Sequence, residues 1–436
     1  MKGVQRRSVL LASGAGLIAT GATTAQAAKA EAATAQAAAG DGRGGHAPDP
    51  AAVLDWNRAL LRIVRTAGAQ PATVHPTRSF AMLHAAVHDA VVSVLGGQPY
   101  RFAFPAPHGT SAVAAAAYAG HDLLAALYPA HLPELDAVLS ARLATVPSAT
   151  GREGGARVGN LAARALLALR ADDGSDATPP TLAPGTAPGA YRPAPPAFAP
   201  AVFTHWPAVR PFVLHRAGQF TVRRYPQLAS AEYASATNEV ASLGQDSSTT
   251  RTADQTVQAR FWAAPIWNYL NEIAQTVVLA SGADLPTAAR TFALLDLALA
   301  DGVIAFYAAK YHFLIWRPVT AIQLAGTDGN PATVADPGWN PLASTPADPS
   351  YPGAHSVISQ AGTQLLRESL GDYPVTVTSE LLPGVTRSFQ RLQDVADEAG
   401  RSRLPAGVHT RLDHESGQQL GASVAHFARR HAFNGR

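Results

Sequence analysis

Lysine occurs only three times in this 436-residue chain, at Lys2, Lys29 and Lys310, against 31 arginines. An ammonium is a compact, strongly hydrated point charge, whereas a guanidinium is a planar fork. The one lysine in the body of the chain is therefore singled out before any motif is sought. Trp316-Arg317-Pro318 follow it closely. Tyr351-Pro352-Gly353-Ala354-His355-Ser356 then opens a predicted helix, and Ser402-Arg403-Leu404-Pro405-Ala406-Gly407-Val408-His409 precedes the last one. Three fixed cations, two histidines and a helix N-terminus suit a tetrahedral oxyanion. The cations neutralise its charge, and the free N–H groups of a helix start point at anions. One histidine can bond to the central atom, and the other can move a proton at an apical oxygen. No carboxylate-rich cluster suggests a two-metal site.

Composition narrows the classes. There is no Cys, which excludes disulfides, thiolate nucleophiles, iron–sulfur clusters and Cys-ligated zinc. The two Met, at Met1 and Met82, and the absent Cys suit a protein exposed to an oxidant. Hydrophobic residues at 47% and charged residues at 15% mark a globular chain. The 34 basic residues balance 31 acidic ones, and no basic stripe points to nucleic acid. No run of about 20 apolar residues in the body suggests a membrane span.

Several single residues carry weaker signals. His84 and His88 stand i,i+4 on an apolar helix with Asp89 next, a spacing that can hold a metal but that fits buried, hydrogen-bonded histidines better. His312, two residues after Lys310, could border the pocket. Asp413 could orient a pocket histidine or arginine, with His414 beside it. Trp316 reads as core. Arg192 and Arg210 either rim the site or are solvated, and Tyr351 and Ser402 read as fixing loop geometry.

The elements that must position these residues read as helices. Residues 1–27 form an expected signal peptide: Arg6-Arg7 precede the apolar Val9–Ala19 and the A-x-A end Ala25–Ala27, which points to export by the twin-arginine route. Residues 28–48 read as a flexible Ala/Gly-rich tether. Residues 49–436 read as one helical domain. Asp49-Pro50 start the first helix, and Val53, Trp56, Leu60, Ile63 and Val64 form its apolar stripe. Further helices are predicted over Thr77–Leu95, 111–127, 132–145, 151–171, 227–243, 251–263, 266–281, 285–309, 355–370, 387–399 and 414–432. Val375, Val377 and Thr378 suggest one short strand. The ten prolines of 171–213 preclude regular helix, so this long loop is functional or wraps the surface. The stretch 325–354 is a second Pro/Gly/Asp-rich loop.

Lys-x6-Arg-Pro, then Pro-Ser-Gly-His, then Ser-Arg-x5-His is the signature of the acid phosphatase and vanadium haloperoxidase superfamily. The segments Lys310…Arg317-Pro318, Pro352-Gly353-Ala354-His355 and Ser402-Arg403…His409 resemble it in order and spacing. The stretch Lys310–Ile322, with Tyr191-Arg192-Pro193, Arg210-Pro211-Phe212 and Phe261-Trp262, resembles secreted bacterial vanadium-dependent haloperoxidase-like proteins in particular. The resemblance spans roughly residues 50–436 and implies an all-α, two-bundle fold with its active-site motifs in 310–409. It implies vanadate as cofactor, ligated by His409, with Lys310, Arg317 and Arg403 on the equatorial oxygens. His355 becomes the acid–base group at the apical oxygen. Gly353 and Ala354 contribute backbone N–H groups.

The implied activity is oxidation of a halide or small organic substrate by hydrogen peroxide. A phosphatase that forms a phosphohistidine at His409, needing no cofactor, and a non-catalytic oxyanion-binding protein remain alternatives. Neither nucleic acid nor a membrane is an expected partner. The chain departs from the pattern at Gly353, where the family has Ser, and at Ala354, where it has Gly. The missing hydroxyl removes one neutral hydrogen bond, worth about 0.5–1.5 kcal/mol. Asp348 stands where an aromatic residue or His lies near the halide, and a carboxylate facing a halide would repel it.

Overall fold

About half of the described helices begin where short polar side chains take up the orphan N–H groups of a first turn. Asp49 accepts from the Ala51 N–H at 2.8 Å, and Ser111, Ser148, Ser230 and Asp284 cap in the same way. Thr252 and Thr410 form reciprocal capping boxes with Gln255 and Asp413. The computed structural model describes residues 49–69 and 74–434. The expected signal peptide and tether, with Lys2, Arg6, Arg7 and Lys29, lie outside the described residues.

Thirteen α-helices are found among the described residues. The first five are α1 (Ala51–Arg65), α2 (His75–Leu95), α3 (Ala112–Leu127), α4 (Leu132–Ala144) and α5 (Ala149–Arg170). After the Pro-rich loop come α6 (Ala231–Leu243), α7 (Ala253–Phe261), α8 (Ile266–Ser281), α9 (Leu285–Phe313) and the one-and-a-half-turn α10 (Pro318–Gln323). The chain ends with α11 (Ala354–Leu370), strands β1 (Val375–Thr378) and β2 (Thr386–Phe389), α12 (Leu392–Arg401) and α13 (Arg411–His431). The all-α class holds, and the helices form two bundles that share α9. On one side α9 packs on α1 and α2, which join α3 and α5; on the other it packs on α11 and α13, with α8 and α12 against α11.

The shared helix is 29 residues long and apolar enough to cross a membrane by length and composition, yet 94% of that apolar window is buried inside the protein. Its place between two bundles explains the composition: a helix packed on both faces is hydrophobic all round. Asp301, buried within it, accepts the backbone N–H groups of Phe212, Val213 and Leu214 at 2.6–2.8 Å and pins the end of the Pro-rich loop. That loop also runs beside the segment after α9: Tyr191 N–H donates to Leu314 C=O at 2.7 Å, and Trp316 N–H to Gly189 C=O at 2.9 Å.

Several boundaries differ from the sequence reading. The helix expected to stop at 309 runs to Phe313, so Lys310 lies in its last turn; Leu314, left-handed at φ 52°, ends it. The helix expected over 387–399 divides into β2 and α12. β2 pairs antiparallel with β1 (Val375 opposite Phe389), and the Asp372 carboxylate accepts the Leu392 N–H at the start of α12. The expected starts at 227 and 251 move to 231 and 253, where Ser230 and Thr252 supply caps. The last helix starts at 411 rather than 414 because of the Thr410 capping box.

Candidate active site

Lys310 is carried by the last turn of α9, Arg317 by the N-cap of α10, and Gly353, Ala354 and His355 by the start of α11. Arg403 and His409 come from the loop between α12 and α13. The proline and glycine of that loop, Pro405 and Gly407, make it a turn. Gly407 at φ +78° brings its backbone against Gly244 and Pro341, where a side chain would not fit. Lys310, Arg317, Arg403 and His409 are all buried. Burying three cations is costly unless they are paired.

The pairing is uneven. Lys310 Nζ donates to the carbonyls of Pro349 and Ser350 and lies 3.1 Å from Asp348 Oδ2. Arg317 Nε donates to Asp348 C=O at 2.7 Å, Nη1 to Val408 C=O at 2.9 Å, and Nη2 to the Asp348 carboxylate. Arg317 Nη1 also lies 3.3 Å from His409 Nε2. Arg403 differs: its Nε and Nη1 are buried and have no hydrogen-bond partner among the described residues. Buried donors of a charged group are rarely left unmade, so two orphaned guanidinium donors mark where an anion fits. Burial and then the Arg317 charge lower the Arg403 pKa to about 10, and the Arg403 charge in turn acts on His355, so these groups share one cluster.

The two histidines are held differently. His409 Nδ1 lies 3.3 Å from Asp413 Oδ2 and 3.4 Å from Ser350 Oγ, whose hydroxyl donates to Asp413 at 2.9 Å. A carboxylate only accepts, so Nδ1 carries the proton and Nε2 is bare beside Arg317. Burial, reinforced by the Arg317 charge, lowers the His409 pKa to about 3 against the opposing Asp413. His355 is half-buried, and its Nε2–H donates to Trp262 C=O at 2.9 Å. Burial and the nearby Arg403 hold it well below the usual histidine range. Both rings are thus neutral at neutral pH. Burial also lowers the Lys310 pKa, to about 8, although Asp348 opposes it.

Some expectations need correction. The Gly353 N–H is not turned to a ligand; it donates to Asp413 C=O at 2.9 Å and ties α11 to α13. This leaves the first-turn N–H groups from Ala354 onward. Asp348 does not stand alone as a halide-facing acid, because its carboxylate is bound between Lys310 and Arg317. His312 is exposed and packs on Phe313 rather than bordering the cluster. Arg192 and Arg210 are tied to loop and helix carbonyls.

Other expectations are met by the contacts. Trp316 packs with Tyr233 in a small core. His84 accepts from Asn57 at 3.0 Å, and His88 meets the Gln98 carbonyl at 3.0 Å, so each is a buried, hydrogen-bonded ring. Ser402 Oγ donates to Ala399 C=O, and Tyr351 donates to Arg223 C=O, fixing their loops. His414 is occupied by Ser356 at 2.9 Å. Ser350 is a site residue that sequence reasoning misses. A signal for it exists: a hydroxyl three residues before the position where the motif lacks one.

Two helical bundles thus share one buried helix, with a cluster of buried cations and a neutral histidine beside it. Residues 290–434 match the family model for the second helical-bundle domain of VCPO. The vanadium chloroperoxidase of Curvularia inaequalis is 27% identical over 42% of this chain and 36% of its own length, so the match spans about a third of that relative. The fold is similar to a bacterial vanadium-dependent iodoperoxidase (TM-score 0.73, 22% identity, 87% of this chain and 95% of that one). It is also similar to a holo-type bacterial vanadium-dependent chloroperoxidase (TM-score 0.65, 16% identity, 89% and 99%). By family model, curated relative and fold, the chain is similar to vanadium haloperoxidases.

Proposed function

We propose that this protein is a vanadate-dependent peroxidase that uses hydrogen peroxide to oxidise a halide or a small organic substrate, and that it acts after export. The observation that carries this reading is the pair of orphaned donors on Arg403, in one buried cluster with the bare Nε2 of His409. Those groups fit a tetrahedral oxyanion. Arg403 would hold its equatorial oxygens by charge-assisted hydrogen bonds, and Lys310 and Arg317 would add positive charge around them. His409 would bond to its central atom through Nε2, with Asp413 and Ser350 fixing the ring. Vanadate, when bound, would supply the Lewis-acidic centre at which peroxide becomes an oxygen donor.

The chain's own residues do the rest. His355 donates Nε2–H to Trp262 C=O and is held neutral by burial and Arg403, the form in which the ring could act as the acid–base group. Burial of the cations excludes water and strengthens each contact.

Hydrolysis of a phosphomonoester through a phosphohistidine at His409 is the second reading. The Asp348 carboxylate within the cradle favours it, because it can accept the O–H of a phosphate-ester monoanion, which a halide lacks. One comparison separates the readings: bromide and iodide oxidation by peroxide with and without orthovanadate, beside phosphate-ester hydrolysis without vanadium. Vanadate-dependent halide oxidation supports the first. Hydrolysis inhibited by vanadate supports the second. Vanadate binding with neither activity leaves an oxyanion-binding protein.

A further inference from the structure

Asp348 is 5% exposed and lies inside the cradle, not at its edge. Oδ2 is 3.1 Å from Lys310 Nζ, and Oδ1 accepts from Arg317 Nη2. A carboxylate offers about four lone-pair sites, and these two cations take one on each oxygen. The second acid of the site, Asp413, is turned away toward Thr410, Ser350 and His409. Arg403 alone among the three cations keeps unpartnered donors. Arg403 feels the charge of Arg317, and Arg317 holds Asp348, so an anion that spans Arg403 and Arg317 approaches the Asp348 carboxylate. Lys310 and Arg317 outweigh burial and hold Asp348 ionised, so it can accept a hydrogen bond and cannot donate one.

We propose that Asp348 makes the cradle selective for tetrahedral oxyanions that still carry an O–H, against those that are fully ionised. This inference rests on the reading of the cradle as an oxyanion site. Phosphate and vanadate near neutral pH keep at least one proton and can donate it to Asp348. Sulfate has only acceptors, so one of its oxygens would face a carboxylate oxygen with no proton between them. Like charges in a buried, low-dielectric site repel strongly, and a site built to receive a hydroxyl rejects the analogue that lacks it. The three cations set affinity for an oxyanion, and Asp348 sets which oxyanion.

The test is calorimetric titration of the purified full chain with inorganic phosphate and with sulfate, for the parent and Asp348→Asn. The parent is expected to bind phosphate at least about tenfold more tightly than sulfate, which is about 1.4 kcal/mol. In Asp348→Asn the amide offers a donor and the charge is gone. Sulfate affinity should rise, and the phosphate-to-sulfate ratio should move toward unity. Equal binding of the two anions by the parent overturns the proposal, as does an unchanged ratio in the variant. If the variant does not fold, the parent's ratio decides alone. If the parent binds neither anion at millimolar concentration, the oxyanion reading itself fails, a result distinct from binding without discrimination.

Discussion

The Asp413 carboxylate lies 3.3 Å from Nδ1 of His409, and the same oxygen accepts the Thr410 N–H that opens the last helix at 2.7 Å. One acid therefore both caps α13 and chooses the tautomer of the ring four residues earlier. The bare nitrogen falls on the side of Arg317 as a consequence. Asp413→Asn keeps an oxygen for the cap but loses the charge that holds the ring. Orthovanadate affinity should fall about 10–100-fold, while unfolding stability drops by only about 1 kcal/mol. Calorimetry and urea unfolding on the same preparation check both; unchanged affinity would show that the ring is fixed by its packing alone.

His355 should matter for rate more than for binding. His355→Ala is expected to lower turnover by roughly 10²–10⁴-fold, the usual worth of general acid–base help. Vanadate affinity should change by no more than about 1.5–3 kcal/mol, one hydrogen bond to a charged group. Steady-state rates and a direct vanadate titration distinguish the two effects. A variant whose vanadate binding is lost as completely as its turnover would make His355, not His409, the ligand of the central atom.

The pH dependence follows from the two neutral rings. The His409 pKa is lowered to about 3 and that of His355 lies well below its usual value, so both keep their bare nitrogens through mildly acidic solution. The rate profile should show no break near pH 6.5. Stability moves the other way. Below about pH 6.5 the unfolded chain takes up protons that the folded ring refuses, so the His409 contribution is complete above that value and is lost as pH falls toward 3. Urea midpoints between pH 7.5 and 5 should fall more steeply for the parent than for His409→Gln. Parallel slopes would mean that the ring titrates normally.

Restoring the motif serine should not improve the site. A Cβ on Gly353 would sit 3.1 Å from the Asp413 carbonyl oxygen, which already accepts the Gly353 N–H. That oxygen belongs to the backbone of the first turn of α13 and yields little. Gly353→Ser should lower stability by about 1 kcal/mol or more and leave vanadate affinity unimproved. Thermal unfolding and titration of the variant provide the check, and a more stable, tighter-binding chain would refute the steric explanation.

The site is legible in the sequence where residue type and spacing carry the chemistry. A lone Lys310, then Arg317, Arg403 and His409 at fixed intervals suffice to select the residues of the cradle, and Asp413 can be placed beside a pocket group. What spacing cannot show is where a side chain turns. Asp348 is bound between two cations, and the Gly353 N–H is taken by the carbonyl of Asp413, far along the chain; both depend on how the loop before α11 closes on α9 and α13. The fold shows the same division. The first helix, α1, begins within two residues of the Asp49-Pro50 start read from the sequence, and α8 keeps its predicted span of 266–281. β2 reads as the start of a helix because Thr386–Phe389 alternates over only four residues, and its partner β1 lies across a turn.

The central claim is that His409 Nε2 and the Arg403 cradle form one oxyanion site. It is tested most directly by titrating orthovanadate into the parent and into His409→Ala. Saturable one-site binding is expected for the parent, with loss of tight binding in a variant that remains folded by circular dichroism. Equal vanadate affinity in the two chains would contradict the claim.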